Sequence, residues 1–248
     1  ISRYRKEMTG SLDEVQITAI RDRIQQLRDL DKRKEAVLKS IQDQGKLTPE
    51  LEALVRGAET MATLEDIYLP YKPKRRTRAL IAREKGLQPL ADYILEQKSG
   101  EIEDFAAQFL NEELAVNTLE EALAGARDII AETIAEDAEV RAQLRKVFLD
   151  KGNFVSRVVP GKEEQAQKYK DYFEWSEPLD KAPSHRVLAM RRGEKEELLY
   201  LDIEVDEDIV FPKIESIYIK GKNDASKQVE LALYDGYKRL LKPSMETE

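Results

Sequence analysis

Apolar residues recurring every three or four positions through a strongly charged background constrain this chain more than any other feature of its sequence. Ile17, Ile20, Ile24, Leu27, Leu38 and Ile41 stand near helical spacing, which predicts one long amphipathic helix ending at Gln44-Gly45. Thr48-Pro49-Glu50 reads as an N-cap with proline at the first helical position, opening a second helix on Leu51, Leu54, Val55, Ala58 and Ala62. Two further stripes, Leu119, Leu123, Ala126, Ile130, Ile134 and Val140, Leu144, Val147, Phe148, predict two more helices, the latter closed by Lys151-Gly152. Strand signals are few. Phe154 to Val159 is β-prone, Pro183-Ser184 caps a short helix through Met190, and Leu199, Leu201, Ile203 and Val205 alternate with Tyr200, Asp202 and Glu204. A last helix runs on Val229, Leu233, Tyr237, Leu240 and Leu241. The expected fold is mainly α with a small β element. It divides into a helical N-terminal region, residues 1–117, and a second helical region, residues 118–248, whose terminal helix leads toward a further domain.

Composition narrows the chemistry. With no cysteine and one histidine in 248 residues, the chain has no disulfides, no thiolate zinc site, no cysteine nucleophile and no multi-histidine metal site. No window approaches the ~18 apolar residues of a membrane span, and no apolar segment opens the chain as a secretory signal would. A soluble, cytoplasmic, monomeric protein with no cofactor and no membrane partner is the expectation. The chain opens on Ile1-Ser2-Arg3 without methionine, so it reads as part of a longer protein.

The net charge of −8 hides a division along the chain. Residues 1–100 carry 20 basic and 16 acidic side chains, whereas residues 101–248 carry 21 and 33. Two windows concentrate the difference. Lys72 to Arg78 holds five cations and no acid, and Glu101 to Glu139 holds twelve acids against Arg127 alone.

The first window is the main functional candidate. In Tyr68-Leu69-Pro70-Tyr71-Lys72-Pro73-Lys74-Arg75-Arg76-Thr77-Arg78 the prolines forbid a continuing helix and stiffen the connector. Lys72, Lys74, Arg75, Arg76 and Arg78 would then project a dense positive field toward phosphates, while Tyr71 and Tyr68 offer faces to unpaired bases. The competing reading has the tyrosines packed in a core and the cations solvated or set against acidic helices. Arg3, Tyr4, Arg5 and Lys6 form a second basic cluster, read more simply as a charged chain start. Ser184 and His185 are neighbours on one helix and diverge, so they make no catalytic pair. The acids of residues 101–139 lack a metal-loop register and read as a solvated face. Gly45-Lys46, Gly161-Lys162 and Gly221-Lys222 lack the rest of a phosphate-binding loop. Arg186, Arg191 and Arg192 lie in a stretch with a helix-turn-helix-like character, though their spacing does not require one face. No convergent acid, base or metal set is visible, and a non-enzymatic role is expected.

Particular strings carry a resemblance. Ile1-Ser2-Arg3-Tyr4-Arg5-Lys6-Glu7 with Thr9-Gly10, then Leu64 through Arg78, then Asp171-Tyr172-Phe173, Ser184-His185-Arg186 and Arg191-Arg192-Gly193-Glu194 are similar to the Tex family of bacterial transcription accessory proteins. The resemblance implies a nucleic-acid-binding scaffold without turnover, with RNA and/or DNA, RNA polymerase or other transcription proteins as partners. It further implies that an RNase H-like domain, helix-hairpin-helix modules and an OB-fold RNA-binding domain belong to the family pattern beyond this region. An alternative follows from the acidic half: a protein-interaction scaffold that docks the transcription machinery or the protein's own other domains.

Overall fold

The computed structural model describes residues 12–73, 76–98 and 100–248. Two compact units divide the chain, residues 1–73 and 74–248. In the first, α1 (Glu14–Asp43) starts from a capping box in which the Asp13 side chain accepts from the Gln16 backbone N–H and Gln16 returns the bond. Gly45, at φ 68°, turns the chain after it. Thr48 and Thr60 cap α2 (Pro49–Gly57) and α3 (Met61–Tyr68). Leu30, Val37, Leu38 and Ile41 of α1 bury against Leu51, Val55, Ala58, Leu64 and Tyr68. Only the C-terminal half of α1 enters this core. Ile20, Ile24 and Leu27 are exposed, although the sequence stripe runs through them.

The second unit opens with α4 (Arg78–Glu84), α5 (Gln88–Glu96) and α6 (Ile102–Ala107), followed by α7 (Leu119–Glu136) and α8 (Ala138–Lys151). α7 is central: Ala122, Leu123, Ala126, Ile129, Ile130 and Ile134 are buried among Ala79, Ala82, Leu87, Leu90 and Ile94 of the preceding segment and Val229 and Leu233 near the chain end. Small residues let the helices approach. A Cβ on Gly125 would lie 2.3 Å from Leu87 Cδ1. Residues on either side of 117 share this core, and the two compact units divide at 73/74.

Three antiparallel strands, β1 (Asn153–Val158), β2 (Glu174–Pro178) and β3 (Leu199–Glu204), pair in the order β2-β1-β3. Phe154 stands opposite Ile203 on one side and Glu177 on the other. α9 (Ser184–Lys195) packs its Met190 into a small core with Phe154, Tyr169, Leu198 and Leu199. It starts from Pro183 without a side-chain cap, so Ser184 is its first helical residue and not its cap, and it runs past Met190 to Lys195. α10 (Glu207–Tyr218) and α11 (Asp224–Gly236) follow, and a π-helical turn at Tyr237–Leu241 joins α11 to α12 (Lys242–Thr247). Mainly α with a small antiparallel sheet is therefore the observed class. Among the described residues no helix is long and apolar enough to cross a membrane.

Candidate nucleic-acid interface

The connector begins in packing. Tyr68 is buried, its hydroxyl shares a 2.9 Å hydrogen bond with Ser40 Oγ, and the Arg33 guanidinium sits 5.4 Å from its ring centroid. Arg33 is held by two bonds to the Glu65 carboxylate, at 2.6 and 3.2 Å. Tyr68 thus offers no free stacking face. Leu69–Tyr71 forms a 3-10 turn, as Pro70 fixes φ and donates no N–H. Tyr71 is half-buried against the first unit's core, and its carbonyl accepts from Gln44 Nε2 at 2.8 Å. Lys72 follows it and is exposed.

Lys74 and Arg75 lie outside the described residues. Arg76 and Arg78, both exposed, belong to the second unit. Arg76 pairs with Glu84 at 3.2 Å, both side chains more than half exposed, so the pair is weak and screened. Thr77 Oγ1 accepts from the Leu80 N–H at 3.0 Å and caps α4, which places Arg78 at its first position. Arg78 lines a cleft with Ile81, Lys85, Glu121 and Asp128. Burial raises the Asp128 carboxyl above its ordinary pKa, opposed by Arg239, 3.1 Å away, and by Arg78.

The remaining sequence candidates separate in the same way. Arg3, Tyr4, Arg5 and Lys6 lie outside the described residues. His185 is exposed in the first turn of α9. Arg186 turns inward, paired with Glu177 and with its guanidinium 4.7 Å from the Trp175 ring centroid. Arg191 and Arg192 stay exposed, together with Lys195 and Leu188. Lys195 is a cation that the sequence reading passed over, although positions 184, 188, 191 and 195 recur at helical spacing and mark one face. α9 lies between β2 and β3, so these arginines sit on a strand-flanked helix rather than in tandem helices.

Several acids of residues 101–139 have structural partners. Glu132 pairs with Arg83 at 2.6 Å, Glu121 accepts from the Asn117 N–H at 2.6 Å, and Asp137 caps α8 while accepting from the Tyr218 hydroxyl at 2.6 Å. Among the described residues no three acidic or histidine side chains are grouped to hold a metal ion.

Two family models match the chain: Tex central region-like over residues 97–230 and Tex-like protein N-terminal domain over residues 1–42. The chain is 46% identical over 208 residues to the transcriptional accessory protein Tex of Neisseria gonorrhoeae, covering 84% of this chain and 27% of that protein. Protein tex of Bordetella pertussis is 47% identical over 209 residues, 84% of this chain and 26% of its own length. The uncharacterized protein YdcI of Bacillus subtilis is 40% identical over 251 residues, 100% of this chain and 35% of its own length. The chain thus spans about a quarter to a third of these relatives.

Proposed function

This chain belongs to the Tex family, and from that premise we propose that it is a non-catalytic nucleic-acid-binding region acting in transcription, in the cytoplasm, on RNA and/or DNA. The observation that carries the reading is the connector: five cations between Lys72 and Arg78 with no acid among them, of which Lys72, Arg76 and Arg78 are exposed. The exposed Arg76–Glu84 pair costs little to exchange for a phosphate. Tyr71 is left to contribute an edge, since its ring packs in part on the first unit. The name of one relative, transcriptional accessory protein, supports transcription as the setting, and RNA polymerase or other transcription proteins are the protein partners this reading assigns.

Salt tests this directly. Neutralising five phosphates predicts a slope of log K against log salt of about −3.5 for single strands and about −4.5 for duplex. Binding of the whole chain to labelled single-stranded RNA, single-stranded DNA and duplex DNA is measured across salt. It is compared with a variant carrying Ser at 72, 74, 75, 76 and 78. Salt-steep binding lost in that variant supports the reading. Equal binding by both proteins moves the site elsewhere, and no binding by either leaves this region a scaffold.

A further inference from the structure

The N-terminal half of α1 carries an apolar seam that stands apart from the core its C-terminal half enters. Ile17, Ile20, Ile24 and Leu27 repeat at intervals of three, four and three, the spacing of a and d positions in a coiled coil. Ile20, Ile24 and Leu27 are 48%, 44% and 43% exposed. The seam extends about 15 Å along the helix. In the same register Asp31 and Lys34 interrupt it before Leu38 and Ile41 resume, and those two are buried in the first unit's core.

Charge identifies what fits the seam. The e and g positions beside it are Arg21, Arg28, Gln16 and Arg23, while Asp22 and Asp29 occupy f, the position farthest from it. A second copy is a poor match. Parallel pairing sets Arg23 against the other copy's Arg28, and antiparallel pairing sets Arg21 against Arg28. The preceding residues repeat the sign, with Arg3, Arg5 and Lys6 against Glu7. Nucleic acid would use the arginines and leave the isoleucines in water. We propose that residues 16–28 of α1 dock an amphipathic helix of a partner protein, apolar at its own a and d positions and flanked by Asp or Glu at e and g.

The probe is a synthetic four-heptad helical peptide with Leu at a and d and Glu at e and g, beside a control with Lys at e and g. Binding of each to the whole chain is read by fluorescence anisotropy, with circular dichroism confirming that every variant is folded. The Glu peptide binds at least tenfold more tightly than the Lys peptide. Ile20→Ser with Ile24→Ser abolishes binding, and Arg21→Glu, Arg23→Glu and Arg28→Glu together reverse the preference. Equal binding by both peptides, or by neither, overturns the proposal. So does a chain that sediments as a dimer lost on Ile20→Ser/Ile24→Ser, which makes the occupant a second copy. Loss of RNA binding in the arginine triple variant, with no peptide bound, makes the face a nucleic-acid surface instead.

Discussion

At Gln97 the backbone takes a left-handed φ of 51° and the side chain commits its polar atoms to a segment more than 120 residues away. Its Nε2 donates to the Tyr218 carbonyl at 2.6 Å, and its Oε1 accepts from the Lys220 N–H at 2.8 Å and from Ser226 Oγ at 2.9 Å. The Asn223 amide donates to the Gln97 carbonyl at 2.8 Å. Gln97→Ala keeps the last bond and loses the other three, two of them to part-buried backbone groups, while Ser226 Oγ keeps its 2.9 Å bond to Asn223. Urea unfolding is expected to show about 2–4 kcal/mol of lost stability. Tyr68→Phe removes only the bond to Ser40 and is expected to cost about 1 kcal/mol in the same measurement, with nucleic-acid affinity unchanged because the ring is already buried. Neither role is visible in sequence order. Gln97 follows a helix as an ordinary polar residue, and Tyr68 in its basic string is equally consistent with stacking and with packing.

Among the elements, α9 and β3 meet at Gly193. A Cβ there would lie 2.6 Å from Leu199 Cδ1 and 2.9 Å from its Cγ, and both residues are buried. Gly193→Ala is expected to cost about 1–3 kcal/mol by overpacking, read as a lower denaturant midpoint. Leu199→Val in a double-mutant cycle then shows coupling, since the smaller side chain relieves the added methyl. β3 was legible because its apolar and polar residues alternate. β2 was not: Glu174-Trp175-Ser176-Glu177-Pro178 gives no apolar face by itself and becomes a strand by pairing with β1. The same limit applies to α9, where the run of arginines was plain but only packing turned Arg186 inward onto Trp175 and left Arg191 and Arg192 in solvent.

For the whole molecule, each unit closes its own core, and this sets how it loosens. Ile41→Ala in the first unit is expected to remove about 2–5 kcal/mol of packing. Hydrogen exchange should then quicken in residues 30–68 and stay unchanged around α7, whose core is a separate cluster. Alkali acts on the other unit. Burial pushes the Tyr234 hydroxyl up to about 12, aided by Glu215, and the Tyr237 hydroxyl up to about 12, aided by Glu207. Burial and the Asp137 carboxylate raise Tyr218 further. An unfolded chain ionises these tyrosines near pH 10, releasing protons the folded chain keeps, so their contribution is complete below pH 10 and falls as pH rises toward 12. Phenolate absorbance at 295 nm is expected to show a late-titrating group among the ten tyrosines, with urea midpoints falling over the same interval.

The long helices α1, α7, α8 and α11, the Thr48 cap and the basic connector were fixed by local chemistry: apolar period, a capping threonine before proline, and prolines that end α3 and leave only a 3-10 turn at Leu69–Tyr71. These depend on neighbours within a few residues, which the sequence displays directly. The unit boundary, the placement of α7 at the centre, the burial of Tyr68 and the exposure of the seam at Ile20, Ile24 and Leu27 were decided by tertiary structure. An amphipathic stripe states that a face is apolar, but which stretch of it finds a partner depends on residues distant in the chain. Only the fold, by bringing Leu64 and Tyr68 to Leu38 and Ile41 while leaving Ile20 and Ile24 in solvent, determines which half of one continuous stripe becomes core.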